Sequence, residues 1–227
     1  MRNVFRDPIV KYVFGVAAIL GLLVATNVND NLFELYNHFF SSGIIYYPII
    51  TCAYVLSYVL YKLMNKYHIV VRYKTIANYF FSMVKREILL ITIFVIILHI
   101  PIILFCFNGF INNIYIIVYY CIYQVLFLET LCTLSRVFDL YIRKRFTVVV
   151  ALIAIIAFGD FLLENILFAY ITNSVFYFNY LFTFPLQNFN FICCIILAFL
   201  NIIGNSFVIL SAKRENLFLG GADNEKI

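Results

Sequence analysis

Apolar residues in this chain gather in long runs, and the polar residues collect between them. Each run approaches the about 20 residues that a helix needs to cross a bilayer core. The pattern predicts six spanning helices, at about 8–26, 43–63, 88–107, 114–134, 146–163 and 191–210. The fold class that follows is all-α: a polytopic membrane protein in one transmembrane domain, 1–227. The first helix has a start signal, because Asp7 can cap it and Pro8 suits the first position, where a missing N–H costs nothing. Ala17, Gly21 and Ala25 recur at every fourth residue and allow close helix packing in lipid. That small face fits a dimer contact or an internal one, and the spacing leaves both open. Helix 3 carries His99 and Pro101. A proline in a span commonly kinks it, with neighbours satisfying the freed carbonyl.

Composition agrees with the pattern. The chain is 65% hydrophobic and 12% charged, whereas a soluble domain is about 25% charged. The first apolar run is followed by others, so it reads as a retained span and not a cleaved signal peptide. Cys52, Cys106, Cys121, Cys132, Cys193 and Cys194 all lie in apolar runs with no metal spacing, and read as small packing residues. Heavy use of Ile, Phe, Tyr, Asn and Lys, without Trp, points to an AT-rich, bacterial genome.

The polar stretches hold the information about function. Lys62 to Glu87 carries six of the sixteen basic residues, Lys62, Lys66, Arg72, Lys74, Lys85 and Arg86. Its second half has helical periodicity: Ile76, Phe80, Met83 and Val84 fall on one face, and Lys74, Asn78, Ser82 and Lys85 on the other. A short uncharged loop at 108–113 turns the chain back. Residues 164–190 are rich in Phe and Tyr but broken by Asn173, Asn179, Pro185 and Asn188. They read as an outer re-entrant or interfacial hairpin.

Charge fixes the predicted topology. With a cytoplasmic amino terminus and six crossings, all sixteen Lys and Arg fall on the cytoplasmic side. The outer segments keep Asp30, Glu34, Asp160 and Glu164. This satisfies the positive-inside rule with both termini cytoplasmic. The net charge of +5 is explained by that bias and not by nucleic-acid binding.

No phosphate-cradling G-x-x-x-x-G-K-[ST] loop, nucleophile elbow or H-E-x-x-H pair occurs. His38, His68 and His99 fall on different predicted levels and make no shared site. No catalytic, cofactor-binding or metal-ligating residue is therefore expected in this chain. Glu129 is a candidate intramembrane functional residue, since a charge inside a span is costly. It lies two turns from Arg136, where it can instead pair with a basic group. Asp160 and Glu164 are four apart on one face near the outer boundary, which suits a vestibule or, less well, paired carboxylates in hydrolysis. Asn201 and Asn205, also four apart, read as interhelical hydrogen-bonding groups.

The order of these features resembles the membrane-spanning subunit of ABC-2-type ATP-binding-cassette exporters. The stretch YHIVVRYKTIANYFFSMVKREILL is similar to small permeases of peptide or bacteriocin export and immunity. The resemblance implies six helices with cytoplasmic ends, a coupling helix between helices 2 and 3, and an outer re-entrant element between helices 5 and 6. Here 64–87 stands at the coupling position, with Arg72, Lys74, Ile76, Phe80, Met83 and Val84 as the docking residues. It implies a separate soluble ATPase that binds ATP and Mg, a second permease chain in a homodimer or heterodimer, and an apolar or amphipathic cargo such as a peptide, drug or lipid-like compound. The setting would be the plasma membrane, with membrane lipids as further partners and no nucleic acid. The family usually has an interfacial helix before helix 1, and only about six residues precede Asp7 here. Competing readings are the substrate-binding membrane subunit of a vitamin importer, docked through Ala17, Gly21 and Ala25, a membrane immunity protein, and an intramembrane enzyme.

Overall fold

A computed structural model describes residues 4–26, 43–64, 75–105, 107–141 and 191–214. These residues are helical almost throughout: α1 is Pro8–Ala25, α2 Gly43–Met64, α3 Ile76–Phe105, α4 Phe107–Tyr141 and α5 Phe191–Arg214. Four of them, α1 to α4, are long and apolar enough to cross a membrane, and α5 adds a shorter apolar stretch, Leu197–Ser211. The protein is therefore an all-helical, membrane-embedded one. The expected fifth span at 146–163 and the expected re-entrant segment at 164–190 lie outside the described residues.

The local chemistry sets where helices begin. Asp7 caps α1, its carboxylate accepting from the Ile9 N–H at 2.9 Å, and Pro8 takes the first turn. Thr75 opens α3 in the same way, its hydroxyl oxygen accepting from the Asn78 N–H at 3.1 Å. Several boundaries differ from the sequence reading: α4 runs on past 134 to Tyr141, so that Arg136 lies within it, and α5 runs on past 210 to Arg214. Residues 108–113, read as a loop, belong to α4. The amphipathic stretch at 76–87 is not separate from the third span but runs into it as one helix of 30 residues. At about 1.5 Å per residue α3 is about 45 Å long, against about 30 Å of hydrocarbon core. α3 is thus longer by roughly ten residues than an untilted crossing needs, and Lys85 and Arg86 stand near its amino-terminal end.

The core sits where α1, α2 and α4 surround α3. Leu90, Ile91, Phe94, Val95, Leu98 and Ile102 of α3 are buried, and so are Ile49, Ala53, Leu56 and Leu60 of α2. The small face of α1 is taken up inside the chain. Ala17 and Ala25 are buried, and a Cβ on Gly21 would meet the carbonyl oxygen of Leu98 and the Pro101 ring. Removing the side chain at 21 is what lets α1 and α3 approach so closely. On the other side of α1, Ile9, Tyr12, Val16, Ile19 and Leu23 form an exposed apolar stripe, as a lipid-facing surface requires.

Three threonine hydroxyls within the spans are satisfied along their own helices. Thr51 donates to the Tyr47 carbonyl, Thr92 to Ile88 and Thr130 to Leu126, at 2.8, 2.7 and 2.7 Å. In a medium without water this back-bonding removes the cost of a bare donor. His99 is buried in the same manner, its Nδ1–H donating to the Val95 carbonyl at 2.8 Å.

Candidate functional site

Polar side chains converge at one place in this apolar bundle, near the point where α3 leaves its charged end. Glu87 of α3 and Glu129 and Arg136 of α4 are 1%, 3% and 7% exposed. Their burial follows from helical periodicity. Glu87 stands one turn after Met83 and shares its inward face. Glu129 and Arg136 are seven apart and lie nearly in line on α4, with Thr133 between them.

Arg136 holds the cluster together. Its Nη1 faces the Glu87 carboxylate across the α3–α4 contact. Its Nη2 donates to Glu129 Oε1 at 3.2 Å, Thr133 Oγ1 at 2.8 Å and Asn205 Oδ1 at 3.0 Å. One guanidinium thus links three helices, and its planar fork suits that task better than a lysine would. An ionised side chain in this setting is tolerable because it is both paired and hydrogen-bonded.

The network continues into α5. Thr133 donates to Asn201 Oδ1 at 3.0 Å, and the Asn201 amide donates to Thr130 Oγ1 at 3.0 Å and to the Leu126 carbonyl at 3.2 Å. The Asn205 amide donates to the Asn201 carbonyl at 2.9 Å. Gly204 lets this contact close, since a Cβ there would run into the Thr133 methyl group. One turn before Arg136 on α4, Cys132 Sγ approaches the Ala53 carbonyl of α2 at 3.8 Å.

The residues singled out from sequence are placed as follows. Glu129 is in the cluster, paired with Arg136. Asn201 and Asn205 make interhelical hydrogen bonds. Asp160, Glu164, Arg72 and Lys74 lie outside the described residues. Ile76 opens α3. Met83 is buried, while Phe80 and Val84 are half-buried. Phe80 packs on the core, with its ring edge-on to Tyr79 at 5.4 Å. Met83 is therefore turned toward the chain's own core and not outward, because the apolar face of this helix finds cover on the bundle. The outward face carries Asn78, Phe81 and Lys85, and Phe81 is 73% exposed. Two participants were not singled out beforehand, Glu87 and Arg136 as a linker. The signal for Glu87 was its spacing of four from Met83.

Among the described residues no group of three His, Cys, Asp or Glu comes together as a metal site. What the cluster can do is mechanical and electrostatic. It ties α3, α4 and α5 into a unit and concentrates charge beside a cleft. No family model matches the chain, and neither a curated protein nor a solved structure is similar to it.

Proposed function

We propose that the chain is a membrane-spanning transport subunit driven by a separate soluble ATPase, of the ABC-2 exporter type. The observation that supports this reading is the continuity of α3, one helix of 30 residues that runs from an amphipathic end into a stretch long and apolar enough to cross a membrane. A partner pressing on that end acts on a rigid rod. The Glu87–Arg136 contact then passes the displacement to α4, and Asn205 and Asn201 pass it to α5. Packed helices that move as units between two arrangements are the usual device for such a transition. In this reading six helices cross the plasma membrane with both termini in the cytoplasm, the fifth at 146–163, and two permease chains enclose the cargo path. ATP and Mg bind to the partner. The cargo is amphipathic or apolar, because the bundle offers aromatic surface and few charges. Docking is assigned to the outward face of α3, with Phe81 as the anchor and Asn78 and Lys85 beside it.

The Ala17–Gly21–Ala25 face, on which a vitamin-importer module would dock, is already filled by α3. That favours the exporter reading over its main competitor. The test is affinity purification of the tagged chain from its native cells. A soluble ATPase should come with it at stoichiometry, and Phe81→Ser with Lys85→Glu should lose that partner while the bundle stays folded. Retention of the ATPase by this double variant refutes the docking face. Recovery of no ATPase from wild type refutes the class.

A further inference from the structure

The exposed positive charges of the described residues gather at one end of the bundle. Arg6 just before α1, Lys11 of α1, Lys62 of α2 and Lys85 of α3 are all exposed. Their common level follows from the helix contacts. α1, α2 and α3 are successive candidate spans, so α1 and α3 run the same way and α2 runs back between them. Gly21 of α1 lies against Leu98 of α3. From that contact Lys11 is ten residues back along α1, about 15 Å, and Lys85 is thirteen back along α3, about 20 Å. Arg86 donates through Nη1 to Met64 Sδ at 3.1 Å, which brings the last turn of α2, with Lys62, to the same level. The residues described at the opposite end, 22–26, 43–47, 101–105 and 107–116, carry no Lys, Arg, Asp or Glu.

These cations are not spent within the chain. Among the described residues the ion pairs are those of Arg136 with Glu87 and Glu129, and the Asp7 carboxylate is turned to the Ile9 N–H. Arg6, Lys11, Lys62 and Lys85 therefore keep their charge for a partner outside the chain. Exposed aromatic and apolar surface adjoins them. Tyr12, 76% exposed, follows Lys11 and begins the stripe of Tyr12, Val16, Ile19 and Leu23. Tyr58, also exposed, stands one turn from Lys62 on the same face of α2. Tyrosine beside lysine suits the boundary between hydrocarbon and headgroups, where a lysine stem lies on apolar surface and its ammonium reaches the polar layer. The cations are spread over three helices, so a layer of anions meets them together.

We propose that this rim binds the phosphate headgroups of anionic phospholipids. The phosphodiesters meet Arg6 and Lys11 beside α1 and Lys62 beside α2, and the acyl chains lie along the apolar stripes of those helices. The site requires only that the bundle be embedded in a membrane, and it needs no ATPase.

The test places the purified full chain in phosphatidylcholine vesicles with a trace of spin-labelled phosphatidylglycerol or spin-labelled phosphatidylcholine. Electron paramagnetic resonance then compares how much of each lipid is held at the protein boundary. One neighbouring cation is worth about fivefold, and boundary sites at the uncharged end gain nothing. Averaged over both, wild type should favour phosphatidylglycerol about two- to threefold. Concentrated potassium chloride should reduce that preference. Soluble glycerol phosphate at constant ionic strength, which carries the anion without acyl chains, should not. Arg6→Gln, Lys11→Gln and Lys62→Gln together should remove at least about half of the excess association, with helix content unchanged because all three side chains are exposed. Should the triple variant fail to fold, Lys62→Glu alone serves instead and should lower the preference in the same direction. Equal association of the two lipids with wild type, a preference indifferent to salt, displacement by glycerol phosphate, or an unchanged preference in a folded variant overturns the assignment. Lys85 also belongs to the docking face proposed above and is left in place, so the two readings fail separately.

Discussion

Replacing Arg136 by Met is the sharpest perturbation of the buried cluster. Methionine is of similar reach and leaves no cavity of consequence, so the effect isolates the charge. The guanidinium serves Glu87 through Nη1, and Glu129, Thr133 and Asn205 through Nη2. Without it, two carboxylates stay buried with no counter-charge. Breaking a buried pair from one side costs about 3–5 kcal/mol, and the lost interhelical bond to Asn205 adds roughly 0.6 kcal/mol. With two carboxylates stranded, the upper half of that range is expected, at least about 4 kcal/mol or close to a thousandfold in the folding equilibrium. The control is the triple variant Glu87→Gln, Glu129→Gln and Arg136→Met, in which no charge remains. Neutral replacement of a whole buried ion cluster is often nearly free, so the triple variant should fall within about 2 kcal/mol of wild type. The chain contains no Trp, so helix content by circular dichroism is the signal, followed through denaturation in mixed micelles. A loss below about 1 kcal/mol in Arg136→Met, or a triple variant less stable than the single one, would refute this account of the cluster.

Other variants probe the helix contacts. Gly21→Ala drives a methyl group into the Leu98 carbonyl and should cost about 1–3 kcal/mol, whereas Gly15→Ala, with nothing within 4 Å, should leave the midpoint unchanged in the same denaturation. Equal behaviour of the two glycines would show that α1 does not pack on α3 through residue 21. Asn201→Leu removes its bonds to Leu126, Thr130 and Thr133, and at roughly 0.6 kcal/mol for each interhelical bond it should lose about 2 kcal/mol. No loss would mean that α5 is held by its apolar surface alone.

Much of the bundle was legible in the sequence because membrane spans announce themselves as long apolar runs. The small face of α1 was legible too, though not its partner, since spacing shows that a helix can be approached closely but not by what. Glu129 and Arg136 could be read as neighbours from their spacing of seven along α4. The larger surprise is at Lys85–Arg86–Glu87. Three charges beside an apolar run read as the membrane boundary, where a helix is expected to end. One of the three is in fact turned inward and neutralised by Arg136, which is distant in sequence, so the helix continues unbroken. Only a tertiary partner makes a buried carboxylate tolerable, and a pattern of local periodicity holds no record of that partner. For the same reason Met83 was assigned to a docking face. Periodicity finds the apolar side of an amphipathic helix but does not say whether the chain itself already covers it.

The central claim is that α3 transmits movement from its exposed end to α5 through the buried cluster. It is tested most directly by pulsed electron paramagnetic resonance on the complex with the co-purified ATPase. In a cysteine-free background, spin labels at Leu89 and Leu210, both exposed, report the separation of α3 and α5 with and without trapped ATP. The distance should change by more than about 2 Å on nucleotide binding, and the change should vanish in the charge-free triple variant. A separation that stays the same in wild type under both conditions, or a shift that survives in the triple variant, contradicts the claim.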